Sequence, residues 1–352
     1  MNAQRASGLP DFPDIAVAES RVPGLQGAPD VRVLVYLPKS VPRPLPALLW
    51  IHGGGYVIGS ADGTDAQVKS MVAQTGCAAV SVDYRLAPET PFPGPVEDRY
   101  AAVMWLHAHA AELEVDQGRI AIGGASAGGG LAAGLALLTR DRGEVPLAFQ
   151  LLIYPMLDDR TVSASDPHPY TGEFIWTPDA NRFGWASLLG EEPGGAGVSP
   201  YAAAARAERL AGLPPTYLSV GALDLFLEED IEDARRLMRE GVPTELHVYP
   251  GAFHGFDMMA ASQVARAHTR DSIDALQRAL CSQQGAPLAP SGPADSAVRD
   301  ADRPCRWGRA AEQGDERCVV VCPAGVYPNR TYVGRVLFQD LRYGNHTSLG
   351  VV

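Results

Sequence analysis

Short, nearly unbroken apolar runs recur along the chain, at residues 31–37, 47–51, 77–82, 119–122, 149–154, 216–220 and 244–249. Runs of this kind, rich in Val and Ile and without polar alternation, are how strands buried on both faces read. Between them the spacing changes to a helical one. Residues 63–74 predict a helix that Gly76 stops, and 95–113 predict another, with Pro95 in its first turn and Val96, Tyr100, Val103, Leu106 and Leu113 near one face. A small-residue helix follows at 131–138, and two more are expected at 229–240 and 262–281. Strands alternating with helices predict an α/β fold built on a doubly wound, mostly parallel sheet.

Three stretches break the rhythm. Residues 1–30 carry Pro, Gly and Ala without periodicity and read as an extended or poorly ordered arm contributing to a cap. Residues 156–202 hold Trp176, Phe183, Trp185, many prolines and the cluster Gly194, Gly195 and Gly197, and read as a lid insertion with one helix near 179–189. The catalytic domain is therefore expected over 31–283. Residues 284–304 are dense in Ala, Pro, Ser and Asp and read as a linker, so that 284–352 is a linker and a disordered extension.

Composition narrows the function classes. The 352 residues are 46% hydrophobic and 20% charged, as in ordinary globular proteins, with a formal net charge of -12. An acidic chain without a basic cluster argues against nucleic acid and against an anionic membrane surface as partners. No run approaches the ~18 apolar residues of a membrane span, so no stable membrane insertion is expected. No apolar segment follows the first residues, so no signal peptide is visible, and Cys77 and Cys281 stand apart, which suits a reducing cytoplasm. Cys305, Cys318 and Cys322 lack a paired Cys-x-x-Cys and would need His346 as a fourth ligand, so no metal is expected. Asn329 and Asn345 open glycosylation sequons that carry no weight without a secretory signal.

The chemistry gathers around one pentapeptide. The apolar run at 119–122 rises into Gly124-Ala125-Ser126-Ala127-Gly128, and a helical stretch follows. Strand, sharp turn and helix in that order describe a nucleophile elbow, with Ser126 as the nucleophile above a helix N-terminus. A serine hydroxyl needs a base, an acid to orient it and donors for the oxyanion. After the strand at 47–51 comes His52-Gly53-Gly54-Gly55-Tyr56, where consecutive glycines let amides turn to one point. With this template the oxyanion donors are the N–H groups of Gly53, Gly54 and Ala127. His52 and Tyr56, at the two ends of the glycine run, are expected to bind substrate, with His52 also bracing the loop.

Among eight histidines, His107, His109, His247 and His268 fall inside helix or strand patterns, His168 in the lid and His346 in the tail. His254 follows the last strand, at the sheet edge where ligands gather, and is the expected base. Asp224 follows the strand at 216–220 and is the expected acid, with Asp158 and Asp159 as alternatives. The order Ser126, Asp224, His254 matches that of α/β-hydrolases.

Taken together, His52-Gly53-Gly54-Gly55, Asp83-Tyr84-Arg85-Leu86-Ala87-Pro88-Glu89, Gly124-Ala125-Ser126-Ala127-Gly128, Ser199-Pro200-Tyr201 and His254-Gly255-Phe256 resemble the motifs of the bacterial hormone-sensitive-lipase-like carboxylesterases. The resemblance covers roughly residues 31–280. It implies an α/β-hydrolase fold with a small cap, a serine carboxylesterase acting on short- to medium-chain esters, and no metal or organic cofactor. Its partner is a small-molecule ester, and a homodimer is compatible with it. Amidase or thioesterase action on the same triad, or a non-catalytic ligand receptor on the same scaffold, are the alternatives. Two positions depart from the family pattern: Ala125 stands where Asp or Thr is frequent, and the arm is short where many members carry cap helices. The acidic and basic residues between Asp83 and Glu89 read as ties between their loop and its neighbours.

Overall fold

The structure, a computed structural model, describes residues 12–281 and two short strands beyond them. The chain divides into two units, Met1–Ala286 and Pro287–Val352. In the second, only β9 (Trp307–Ala310) and β10 (Arg317–Val320) are described, and they pair antiparallel. Cys305, Cys322, His346 and the two sequons lie outside the described residues.

The first unit is an eight-stranded sheet in the order β1-β2-β4-β3-β5-β6-β7-β8. Its strands are β1 (Ile15–Val22), β2 (Val31–Pro38), β3 (Leu45–Ile51), β4 (Ala78–Asp83), β5 (Val115–Ala125), β6 (Phe149–Ile153), β7 (Thr216–Gly221) and β8 (Thr244–Tyr249). From β4 to β8 all pairings are parallel, while β1 on β2 and β2 on β4 are antiparallel. The mostly parallel sheet expected from the apolar runs is the one observed.

The strands read as continuous apolar runs because both faces are covered. Successive side chains point to opposite faces. Ala47, Leu49 and Ile51 of β3 join one core, whereas Leu48 and Trp50 join the other. The first core is closed by α2 (Gly94–Ala108), α3 (Ala127–Arg142), α4 (Pro178–Leu189) and α5 (Leu227–Arg239). The second is closed by α1 (Asp65–Thr75) and α6 (Gln263–Cys281), through Val68, Met71 and Val72 of α1 and Ile273, Leu276 and Leu280 of α6. Among the described residues no helix is long and apolar enough to cross a membrane.

Two expectations are corrected. The arm is not without regular structure: β1 pairs with β2 along its whole length, from Ile15 opposite Pro38 to Val22 opposite Val31. It escapes a reading by hydrophobicity because it is an edge strand with only its end residues, Ile15 and Val22, buried. The helix predicted over 95–113 ends at Ala108, and the strand predicted over 119–122 already begins at Val115. Between them the chain reverses at Glu114, whose φ of 54° lies in the left-handed region.

Candidate active site

Ser126 stands alone between β5 and α3, with φ 58° and ψ -126°. A non-glycine residue adopts that conformation only when its surroundings impose it. Here its N–H donates to the Ile153 carbonyl at 2.9 Å, and its own carbonyl accepts from Gly130 N–H at 3.0 Å and Met156 N–H at 3.1 Å. The turn is possible because the backbones nearly touch. A Cβ on Gly128 would lie 2.2 Å from the Ile51 carbonyl oxygen, and one on Gly124 would lie 2.3 Å from that of Gly128.

The glycine loop after β3 presses on this turn. A Cβ on Gly53 would fall 2.8 Å from the Ala125 oxygen and 3.3 Å from Cβ of Ser126. Gly54 has φ 120°, open only to glycine. Ala127 is the first residue of α3, so its N–H has no acceptor within the helix. Among the described residues, the amides of Gly53 and Gly54 donate to no backbone carbonyl.

His52 and Tyr56, expected to bind substrate, are instead walled in behind the loop. His52 is 1% exposed, bonds the Gly53 carbonyl through Nδ1 at 2.8 Å and stacks on Tyr84, whose hydroxyl donates to the His52 carbonyl. Burial holds the imidazole below its ordinary pKa and hence neutral. Tyr56 is fully buried, with its hydroxyl donating to the Met156 carbonyl. Both brace the glycine run, the role the sequence assigned to His52 alone.

His254 and Asp224 arrive from the carboxyl ends of β8 and β7. His254 Nε2 lies 2.8 Å from Ser126 Oγ, and His254 Nδ1 lies 2.8 Å from Asp224 Oδ2. The other Asp224 oxygen accepts from Phe226 N–H at 3.0 Å, and the carboxylate is completely buried. The imidazole is packed edge-on by Tyr154 and Phe226, with ring centroids 4.8 and 5.1 Å away. The alternative acids are engaged elsewhere. Asp158 pairs with Arg160, and the buried Asp159 takes Arg206 and the Gly194 N–H. His268 is bonded to Ser219 of β7. Arg85 is forked onto Asp98, and Asp83 accepts from Ala61 N–H and faces Arg32, so this loop is tied to its neighbours as expected.

Three features of the site were not read from the sequence. Tyr154 and Phe226 clamp His254 although neither belongs to a motif. Glu229 is a half-buried carboxyl that accepts from Leu157 N–H at 2.7 Å, from Asp158 N–H and from the Thr161 hydroxyl, and so anchors the chain just after β6. Trp176, in the loop before α4, has its ring centroid 6.2 Å from that of His254. The signal for it was only that an apolar triplet, Phe174-Ile175-Trp176, occurs in a loop.

A family model described as alpha/beta hydrolase fold matches residues 48–258, from β3 to just past His254. The chain belongs to the alpha/beta hydrolase fold family. Within it, the chain is 36% identical over 275 residues to carboxylesterase NlhH of Mycobacterium tuberculosis, covering 76% of this chain and 84% of the relative. It is 36% identical over 251 residues to esterase LipI of the same organism, covering 70% and 77%. Among solved structures, a bacterial heroin esterase superposes with a TM-score of 0.74 at 45% identity, covering 77% of this chain and 86% of that one. The hormone-sensitive-lipase-like resemblance drawn from the motifs agrees with these matches. Membership accounts for the shared sheet and the elbow, while β1, β2 and α6 lie outside the matched span.

Proposed function

We propose that this protein is a serine carboxylesterase that hydrolyses short- to medium-chain carboxylic esters through an acyl-enzyme. The observation that carries the reading is the buried chain Ser126–His254–Asp224, both links at 2.8 Å. Its relatives' names, carboxylesterase and esterase, support the same chemistry.

In this reading Ser126 Oγ attacks the ester carbonyl and passes its proton to His254 Nε2. Asp224 keeps the other ring nitrogen protonated and stabilises the imidazolium. Negative charge grows on the carbonyl oxygen, which the amides of Gly53, Gly54 and Ala127 receive, aided by the N-terminus of α3. His254 then protonates the departing alkoxide and the alcohol leaves. Water, deprotonated by His254, attacks the acyl-Ser126 ester; the tetrahedral adduct collapses to release the acid, and the proton returns to Ser126. The reading extends to location: Cys77 and Cys281 stand apart from other cysteines in the sequence, which suits a reducing cytoplasm.

The test is pre-steady-state. A chromogenic short-chain ester is expected to give a burst of alcohol equal to the enzyme concentration, and an organophosphate to label Ser126 stoichiometrically and abolish turnover. Labelling at another residue, or a burst surviving in Ser126→Ala, overturns the reading.

A further inference from the structure

The loop before α4 places three large apolar residues in succession, Phe174, Ile175 and Trp176, where solvent would be expected on all sides. Phe174 and Ile175 are indeed 47% and 61% exposed. Trp176 turns the other way. The reversal is made at Ile175, whose φ of 64° is a left-handed conformation that a β-branched residue strongly resists. The Trp176 N–H closes a tight turn onto the Phe174 carbonyl at 2.7 Å, and the indole Nε1 donates to Oδ1 of the fully buried Asn181 at 3.0 Å.

The indole sits in a slot opened by Gly55. A Cβ on Gly55 would fall 2.0 Å from Cη2 of the ring, and one on Gly184 of α4 would fall 3.4 Å from Cζ2. The ring therefore rests on the glycine loop that neighbours Ser126. Its centroid lies 6.2 Å from that of His254, with 40° between the planes. Phe174 continues the aromatic surface outward to Phe253, with centroids 5.7 Å apart. An ester reaching Ser126 has to lie between the glycine loop and His254, and so alongside this fixed indole.

We propose that Trp176 is a specificity-determining residue that gives the site a preference for esters with a planar aryl group next to the ester linkage. The proposal rests on the esterase reading above and goes beyond it by naming the substrate class. A ring held by the slot and by Asn181 cannot rotate to suit a puckered group. A flat aryl group can stack on it in an offset or edge-to-face arrangement, whereas a saturated ring of the same size keeps axial hydrogens between the two surfaces.

The test uses two pairs of esters matched in size and reactivity: benzyl acetate against cyclohexylmethyl acetate, and ethyl phenylacetate against ethyl cyclohexylacetate. In the full chain, kcat/KM is expected to favour the aryl member of at least one pair by roughly three- to tenfold, the range one aromatic contact supplies. Trp176→Phe, which keeps a flat ring but loses the hydrogen bond to Asn181, is expected to give a ratio above one but below that of the parent, and Trp176→Leu to bring it to about one. The ratio is taken within each protein, so a lower folded fraction in a variant cancels. Ratios near one in both pairs for the unsubstituted chain, or a ratio that survives Trp176→Leu, overturn the proposal while leaving the esterase reading intact. No hydrolysis of any of the four esters overturns the esterase reading and the proposal with it.

Discussion

His254 is held by an acid, two aromatic edges and a serine, and only the acid determines which ring nitrogen carries the proton. Asp224→Asn keeps the size of the side chain and removes that control, so kcat is expected to fall by about 10⁴ by analogy with the serine-protease triad. Asp158→Asn only breaks a pair with the half-exposed Arg160, and kcat is expected to stay within about twofold. Steady-state kinetics corrected by active-site titration with an organophosphate compares the two, and the opposite ranking would move the acid to the end of β6. Ser126, Asp224 and His254 were legible because chain order and position after strands constrain them together. The fates of His52 and Tyr56 were not, because a motif shows which residues flank a loop but not which side of it is buried. Trp176 was invisible as a site residue for a related reason: its ring lies on Gly55, far away in sequence, and only the fold brings the two together.

The crossing of β5 and α3 over β3 is the contact that positions Ser126. Gly128→Ala would drive a methyl group into the carbonyls of Ile51 and His52, at 2.2 and 2.5 Å, and neither belongs to a flexible side chain that could move aside. A loss of about 3 kcal/mol is expected, the upper end of overpacking costs, together with a drop in kcat as Ser126 is displaced. Thermal unfolding and kcat measured on the same sample check both, and a variant as stable and active as its parent would mean the crossing is looser than described. A milder change tests α4. Thr177 caps α4 by accepting from Ala180 N–H at 3.3 Å, so Thr177→Ala is expected to cost ~1 kcal/mol and lower Tm by a few degrees. Elements of this kind were readable wherever burial was two-sided, as in β3 and β6, or where a Pro marked a first turn, as Pro95 does in α2. β1 was not, because its pairing is carried by backbone hydrogen bonds along an edge that leaves most of its side chains in water.

Across the whole molecule, stability should carry a pH signature set by the acidic face that α5 turns inward. Burial raises Glu229 and Asp230 well above ordinary carboxyl values, and it holds Asp233 up to about 6, with Glu232 adding to the effect and Arg236 opposing it. A carboxyl whose folded pKa is raised binds its proton more tightly in the native state. Its contribution is complete at pH values below the unfolded pKa, near 3.8 for Asp233, and is lost as pH rises through about 6. For Asp233 that loss is about 3 kcal/mol at most. Other groups run the opposite way. Asp62, Asp116 and Asp141, held low by hydrogen bonds from Arg32, Arg119 and Arg140, contribute stability that disappears only as pH falls below the ordinary carboxylate range. His52 and His268, held low by burial, make stability increase with pH up to the ordinary histidine range. The net slope of the parent protein therefore mixes opposing contributions, and the decisive comparison is between parent and variant. Asp233→Asn removes one raised carboxyl and leaves the others. The difference in Tm between variant and parent is expected to become more favourable to the variant from pH 4 to pH 7, by an amount equivalent to ~2–3 kcal/mol, and to level off above that. Thermal unfolding at pH 4, 5, 6, 7 and 8 on both proteins measures it. A Tm difference that stays constant across the series would mean that Asp233 is already ionised in the native state at pH 4 and that the inward face of α5 is better solvated than its burial implies.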